Sequence, residues 1–290
     1  MDIGSFGVWT FAFDQLPNAR AQELAREVEV LGYGAIWIPE AVGKDPLVHS
    51  ALLLSGTSRL TVATGIANIY ARDAMAMAQA HKTLTEAFPD RFLLGLGVSH
   101  APMVEGMRGH HYAKPIETMR AYLDAMDKAL YFAAEPTVPP RRCIGALGPR
   151  MCALAAEKTD GIHPYNVTPE HTAQVRAIVG ADKLVAVEHA VVLGTDASAA
   201  RDAGRAHLAM YLGLPNYVNN LLRLGFTDDD VTGGGSDKLI DALVAHGTVD
   251  QVAARLREHH AAGADHVCIQ AVGAPDPLVV WRELAPALVG

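Results

Sequence analysis

The stretch RCIGALGPRMCALAAEKTDGIHPY, Arg142 to Tyr165, decides the fold. Arg142 to Ala146 is short, apolar and bounded by glycine, and reads as a strand. Leu147 and Gly148 turn the chain. Pro149 then suits a first helical position, where its missing N–H costs nothing. Cys152 to Lys158 continues that helix, and Gly161 to Tyr165 reads as the next strand. A strand, a helix and a strand in close succession form a crossover unit, which makes the two strands parallel.

The same alternation runs along most of the chain. Strands are predicted at Gly7–Phe11, Ala35–Pro39, Leu60–Ala67, Arg91–Gly97, Arg142–Ala146, Gly161–Tyr165, Leu184–Leu193 and His266–Gln270. Eight parallel strands alternating with helices predict an α/β chain folded as a (β/α)8 TIM barrel, a single domain over residues 1–290. The surplus length lies between the seventh and eighth strands, Gly194 to Asp265, where extra helices must sit. Within it, Leu212 to Ser236 carries LGLPNYVNNLLRLGF, an Asp228-Asp229-Asp230 run and Gly233-Gly234-Gly235. It reads as an inserted helix and a mobile loop, serving either as a cover for the barrel mouth or as a connector.

Helix punctuation supports the alternation. Ala21, Leu24, Ala25 and Val28 form one stripe closed by Gly32, and Ile116, Met119, Leu123, Met126 and Leu130 form another. Asp45-Pro46 and Thr168-Pro169 each read as an N-cap followed by Pro at N1, and Thr248 with Gln251 as a capping box. His259 and His260 are expected to be partly exposed on the last helix.

The 290 residues carry 24 Lys+Arg against 32 Asp+Glu, a net charge of −8, and 50% are hydrophobic. Without a basic face the chain is not expected to bind nucleic acid or an anionic membrane. No apolar run is long enough to span a bilayer. The three cysteines, Cys143, Cys152 and Cys268, cannot all pair, so a reducing cytoplasm is expected.

In a barrel, chemistry gathers where strands end. Glu40 follows the second strand and offers a carboxylate for acid–base work or hydrogen bonding. Gly65 interrupts the third strand and marks a bulge or a close approach of ligand. Gly97, Val98, Ser99 and His100 end the fourth, and His100 brings a side chain that titrates near neutrality. After the fifth strand, Gly148-Pro149-Arg150 opens a helix whose free N–H groups and dipole attract an anion, with Arg150 beside them. No metal site is expected: His110-His111 and His259-His260 are adjacent pairs, and neither HExxH nor CxxC occurs. GxSxG is absent as well. The residues alone leave open a redox enzyme, a non-redox lyase or isomerase holding a phosphorylated ligand, and a barrel that only binds.

GVWTF, AIWIPEA, LTVATGIAN, FPDRFLLGLGVSH, IGALGPRMCALAAEKTDG and AAGADHVCIQ, in that order along nearly the whole chain, resemble the luciferase-like monooxygenase superfamily. They are most similar to its short branch dependent on the deazaflavin coenzyme F420. The resemblance implies a flavin-type ring across the barrel mouth: coenzyme F420 exchanging hydride with a small organic substrate or, alternatively, FMN in an oxygenating monooxygenase reaction. It places a bulge with a non-prolyl cis peptide at Gly65, Ile66 and Ala67. It assigns the phosphate to the turn Ala146, Leu147, Gly148, Pro149, Arg150 and Met151, and the ring edge to Gly97 through His100. Glu40 matches the acid of a family Asp-His pair, whereas Ala41 stands where the histidine would be. Proton transfer then falls to Glu40 or His100. Trp9, Phe11 and Trp37 are core residues that wall the substrate if they reach the mouth. A homodimer is expected.

Overall fold

A computed structural model describes all of residues 1–290. Eight parallel staves close a barrel: β1 (Phe6–Trp9), β2 (Ala35–Ile38), β3 (Thr61–Thr64) with its continuation β4 (Ala67–Asn68), β5 (Phe92–Gly97), β6 (Arg141–Ile144), β7 (Gly161–Ile162), β8 (Leu184–Leu193) and β10 (His266–Ala271). Each pairs with its neighbour in the order given. β10 closes the ring by pairing with both β8 and β1. Every predicted strand is present.

Helices α1 (Asn18–Val30), α2 (Pro46–Ser55), α3 (Ala74–Ala87), α4 (Pro115–Asp127), α5 (Pro149–Lys158) and α6 (Pro169–Val179) coat the first seven staves, and α11 (Val249–Ala261) and α12 (Pro277–Leu288) complete the ring. The predicted caps form: Asp45 accepts from the Leu47 and Val48 N–H groups, Thr168 from His171, and Thr248 and Gln251 make the reciprocal box. Fifty buried residues fill the layer between staves and helices, against nine in the cluster inside the barrel. Each buried Leu, Ile or Val contributes roughly 1.5–3 kcal/mol, so the outer layer dominates the stability.

The insertion is built of α7 (Ala197–Leu208), α8 (Pro215–Arg223), α9 (Asp228–Val231), α10 (Asp237–Leu243) and an extra parallel strand, β9 (Val244–Gly247). Ala190 on β8 faces Gln270 on one edge and Val244 on the other, so β9 continues the edge that β7 leaves. Leu208, Leu221, Leu239, Ile240 and Leu243 give the insertion a core of its own. Its acidic run is a capped helical turn instead of a loop: Asp230 accepts from the Thr227 N–H at 2.9 Å and from the Ser236 hydroxyl at 2.6 Å.

Four expectations are corrected. β7 is only Gly161–Ile162, although the backbone bonds on to both neighbours just beyond it, His163 N–H to the Ile144 carbonyl at 2.9 Å and Glu188 N–H to the Pro164 carbonyl at 3.0 Å. Leu130 lies beyond α4 and is 60% exposed, so the buried stripe ends at Met126. α11 is not the last helix. On it His259 is fully buried, hydrogen-bonded to Thr172 at 2.8 Å and His189 at 3.0 Å.

Candidate active site

A cavity of about 570 Å³ opens at the C-terminal ends of the staves. Of the residues singled out from sequence, Glu40, Gly65, Ile66, Gly97 through His100 and Ala146 through Met151 all line it. Ala67 does not. It is fully buried in β4 behind the wall.

The floor is Ile66. Three residues lie between Ala63 and Ala67 where two lie between their partners Leu93 and Leu96, so β3 and β4 carry one extra residue. This is the expected bulge. The Gly65–Ile66 peptide within it is cis. A Cβ on Gly97 would stand 2.3 Å from Ile66 Cδ1, and one on Gly145 would stand 3.2 Å from Ile66 Cγ2. Glycine at these two stave ends therefore makes room for the Ile66 side chain. Beneath the bulge, Trp9 Nε1 donates to the Gly65 carbonyl at 3.0 Å. His163 stacks on Trp37 at 4.2 Å and pairs through Nδ1 with the Ala186 carbonyl at 2.9 Å. Burial lowers the His163 pKa to about 4, so the ring is neutral. Trp9 and Phe11 reach the cavity, whereas Trp37 is inside the barrel.

Glu40 is tightly held. Both its oxygens accept from Arg72 at 2.9 Å, one also accepts from the Asn68 N–H at 2.7 Å, and Arg108 lies 3.6 Å away. Arg72 goes on to Asp45, the cap of α2. A carboxylate so engaged anchors the end of β2 to the bulge. His100 faces Tyr217 at 5.8 Å, and burial lowers its pKa while Asn216 works in the opposite direction.

At the other side, α5 begins on Gly148 with no side chain capping it. His171, from α6, holds the turn from behind through the Leu147 carbonyl at 2.8 Å. Arg150 is joined by Arg223 of α8, whose Nη2 lies 3.6 Å from where a Cβ on Gly148 would stand. Two guanidinium groups and an uncapped helix start thus share one end of the cavity, a setting that attracts a phosphate.

Sequence reasoning missed Arg223, Tyr165, Tyr211 and Tyr217 of the cavity wall, and also Glu188. Glu188 points into the barrel, fully buried. One oxygen accepts from the Asn166 N–H at 3.0 Å and the other has no partner. Burial raises its pKa to about 8 against that hydrogen bond. A lone carboxylate amid the apolar run LVAVEHAVVL was the available signal.

A closed parallel barrel with a cavity at the C-terminal ends of its staves has the architecture of a barrel enzyme. The chain belongs to the luciferase-like monooxygenase family, whose sequence profile matches residues 1–266. It is 28% identical, over 88% of its length and 91% of the relative's, to a Mycobacterium tuberculosis protein whose name places it among coenzyme F420-dependent oxidoreductases. The fold is similar to that of the coenzyme F420-dependent tetrahydromethanopterin reductase from Methanopyrus kandleri, with a TM-score of 0.79 and 17% identity over 99% of each chain. It is similar also to an F420-dependent secondary alcohol dehydrogenase, with a TM-score of 0.78 and 14% identity over 99% of each chain.

Proposed function

We propose that this protein is a coenzyme F420-dependent oxidoreductase that passes hydride between the deazaflavin and a small organic substrate. The observation that carries the reading is the convergence of the α5 start, Arg150 and Arg223 at one end of a cavity floored by Ile66. In a chain of net charge −8, a phosphate-bearing, polyanionic tail needs such a local device. The residues present fit the group: Ile66 would back the ring, Gly97 to His100 would lie along its edge, and the Ala146–Met151 turn with the two arginines would take the phosphate. The deazaflavin supplies a hydride-carrying carbon, and the protein supplies position and electrostatics. The reading includes a homodimer, which sedimentation velocity tests.

Titration of the protein with coenzyme F420 and with FMN, followed by cofactor fluorescence, tests the assignment. Saturable F420 binding with weak or no FMN binding supports it. Saturation by FMN alone replaces it with a flavin monooxygenase, because the same turn can hold an FMN phosphate.

A further inference from the structure

The two ends of the cavity differ in chemistry. Besides the α5 turn, the cavity is lined by an aromatic wall. Trp9 is 5.0 Å from Phe11 and 5.1 Å from Tyr165, and Tyr211 is 5.2 Å from Tyr165 and 5.0 Å from Tyr217, ring centre to ring centre. Two of these rings come from the end of β1, one from the segment after β7, and two from the insertion. The wall carries one polar device. Tyr211 Oη lies 2.9 Å from Tyr165 Oη, which donates to Gln270 Oε1 at 2.7 Å.

No fixed charge serves this end. Arg223 is turned to Gly148, and Glu40 is held by Arg72. Below the wall, the buried Glu188 has no cation, and burial favours its neutral form. Tyr165, Tyr211, Tyr217 and Cys268 feel the Glu188 carboxyl and bring no positive charge. His207, hydrogen-bonded to Asn166, is kept neutral by burial. A charged substrate group would lose its hydration here without a counter-charge, which disfavours it. An uncharged ring meets aromatic faces.

We propose that this end is the substrate chamber, that it takes an uncharged, ring-bearing ketone or the matching secondary alcohol, and that the substrate oxygen docks on Tyr211 Oη. The proposal rests on the deazaflavin reading above. The Tyr211–Tyr165–Gln270 chain fits both members of that pair. With Gln270 presenting Oε1, Tyr165 donates to it, Tyr211 donates to Tyr165, and Tyr211 accepts from an alcohol O–H. With the amide turned over, Nε2 donates to Tyr165, Tyr165 to Tyr211, and Tyr211 to a ketone oxygen. Reduction of the ketone places a hydride on its carbon, drawn from reduced deazaflavin, which is thereby oxidised. The C=O π pair moves to oxygen, which takes the Tyr211 proton. Tyr211 takes the Tyr165 proton in turn, and solvent restores Tyr165. Burial pushes the Tyr211 hydroxyl up to about 12, so it holds its proton until the substrate oxygen becomes more basic.

Fluorine NMR with 4-fluoroacetophenone and 4-fluorobenzoate, one ring bearing a ketone or a carboxylate, tests this without turnover. The titrations use wild type and Tyr211→Phe, each with and without coenzyme F420, after circular dichroism has shown the variant folded. Saturable ketone binding is expected, with benzoate at least about tenfold weaker. Tyr211→Phe is expected to weaken the ketone by about three- to tenfold, the loss of one hydrogen bond, and to leave F420 affinity unchanged. Equal ketone binding by the variant, benzoate binding as tightly as the ketone with coenzyme F420 occupying the α5 turn, or no ketone binding by wild type overturns the proposal. Ketone binding through Tyr211 in a protein that does not bind F420 overturns the functional reading and leaves the chamber standing.

Discussion

Nη1 and Nη2 of Arg72 grip the two oxygens of Glu40 at 2.9 Å, in a pair where the Glu40 side chain is 6% and the Arg72 side chain 15% exposed. This fork, extended by the Asn68 N–H and Asp45, makes Glu40 a positioning residue for the bulge. Glu40→Gln leaves Arg72 short of its counter-charge and is expected to cost about 2–3 kcal/mol. Urea unfolding checks the stability, and an F420 titration of the same variant should show weakened binding as the floor moves.

Arg150→Ala and Arg223→Ala each remove one cation from the α5 turn. Each is expected to weaken F420 binding about tenfold, equivalent to roughly 1.4 kcal/mol, with the wild-type advantage shrinking at high salt. Affinity measured at low and high ionic strength decides this. An unchanged affinity in both variants removes the phosphate from this turn.

Gly97→Ala sets a methyl 2.3 Å from Ile66 Cδ1. It is expected to abolish F420 binding in a protein that still folds. Gly97→Ala combined with Ile66→Ala should recover part of the affinity, because the two sites share one contact and their effects are not additive. A binding cycle over the four proteins measures the coupling.

Stability should peak near neutral pH. Burial lowers His81, His163 and His266 to about 4 and His189 to about 3. Below about pH 6.5 the unfolded chain takes up protons that the folded histidines refuse, so stability falls as pH drops toward 4. Glu188 acts in the opposite sense. Its folded value of about 8 against an ordinary 4.5 means the folded state holds a proton that the unfolded state releases, so stability declines as pH rises through that window. Thermal unfolding from pH 4 to 9 should show both limbs. Glu188→Gln should flatten the one on the alkaline side.

The strands and caps were legible because they are local. Asp45-Pro46 and Thr248 with Gln251 declare helix starts within four residues, and each barrel strand is an apolar run between turn residues. The end of β7 and the extra strand β9 were not legible, since their limits depend on pairing with β8. The barrel half of the cavity wall was readable in part from its glycines: a Cβ on Gly65 would stand 2.8 Å from Trp9 Nε1 and one on Gly97 2.3 Å from Ile66 Cδ1. Arg223 and Tyr211 were not, because the insertion reaches the mouth only through its own packing on Ala190 and Val244. Glu40 lines the cavity at the end of β2, but its partner Arg72 comes from a segment 32 residues on, and no spacing rule links the two.

The most direct test is a crystal structure of the protein grown with coenzyme F420. The account predicts the deazaflavin ring lying on Ile66, its phosphate on the Gly148 turn between Arg150 and Arg223, and its open face toward Tyr165 and Tyr211. A ring placed elsewhere in the cavity, or a phosphate away from the start of α5, would contradict it.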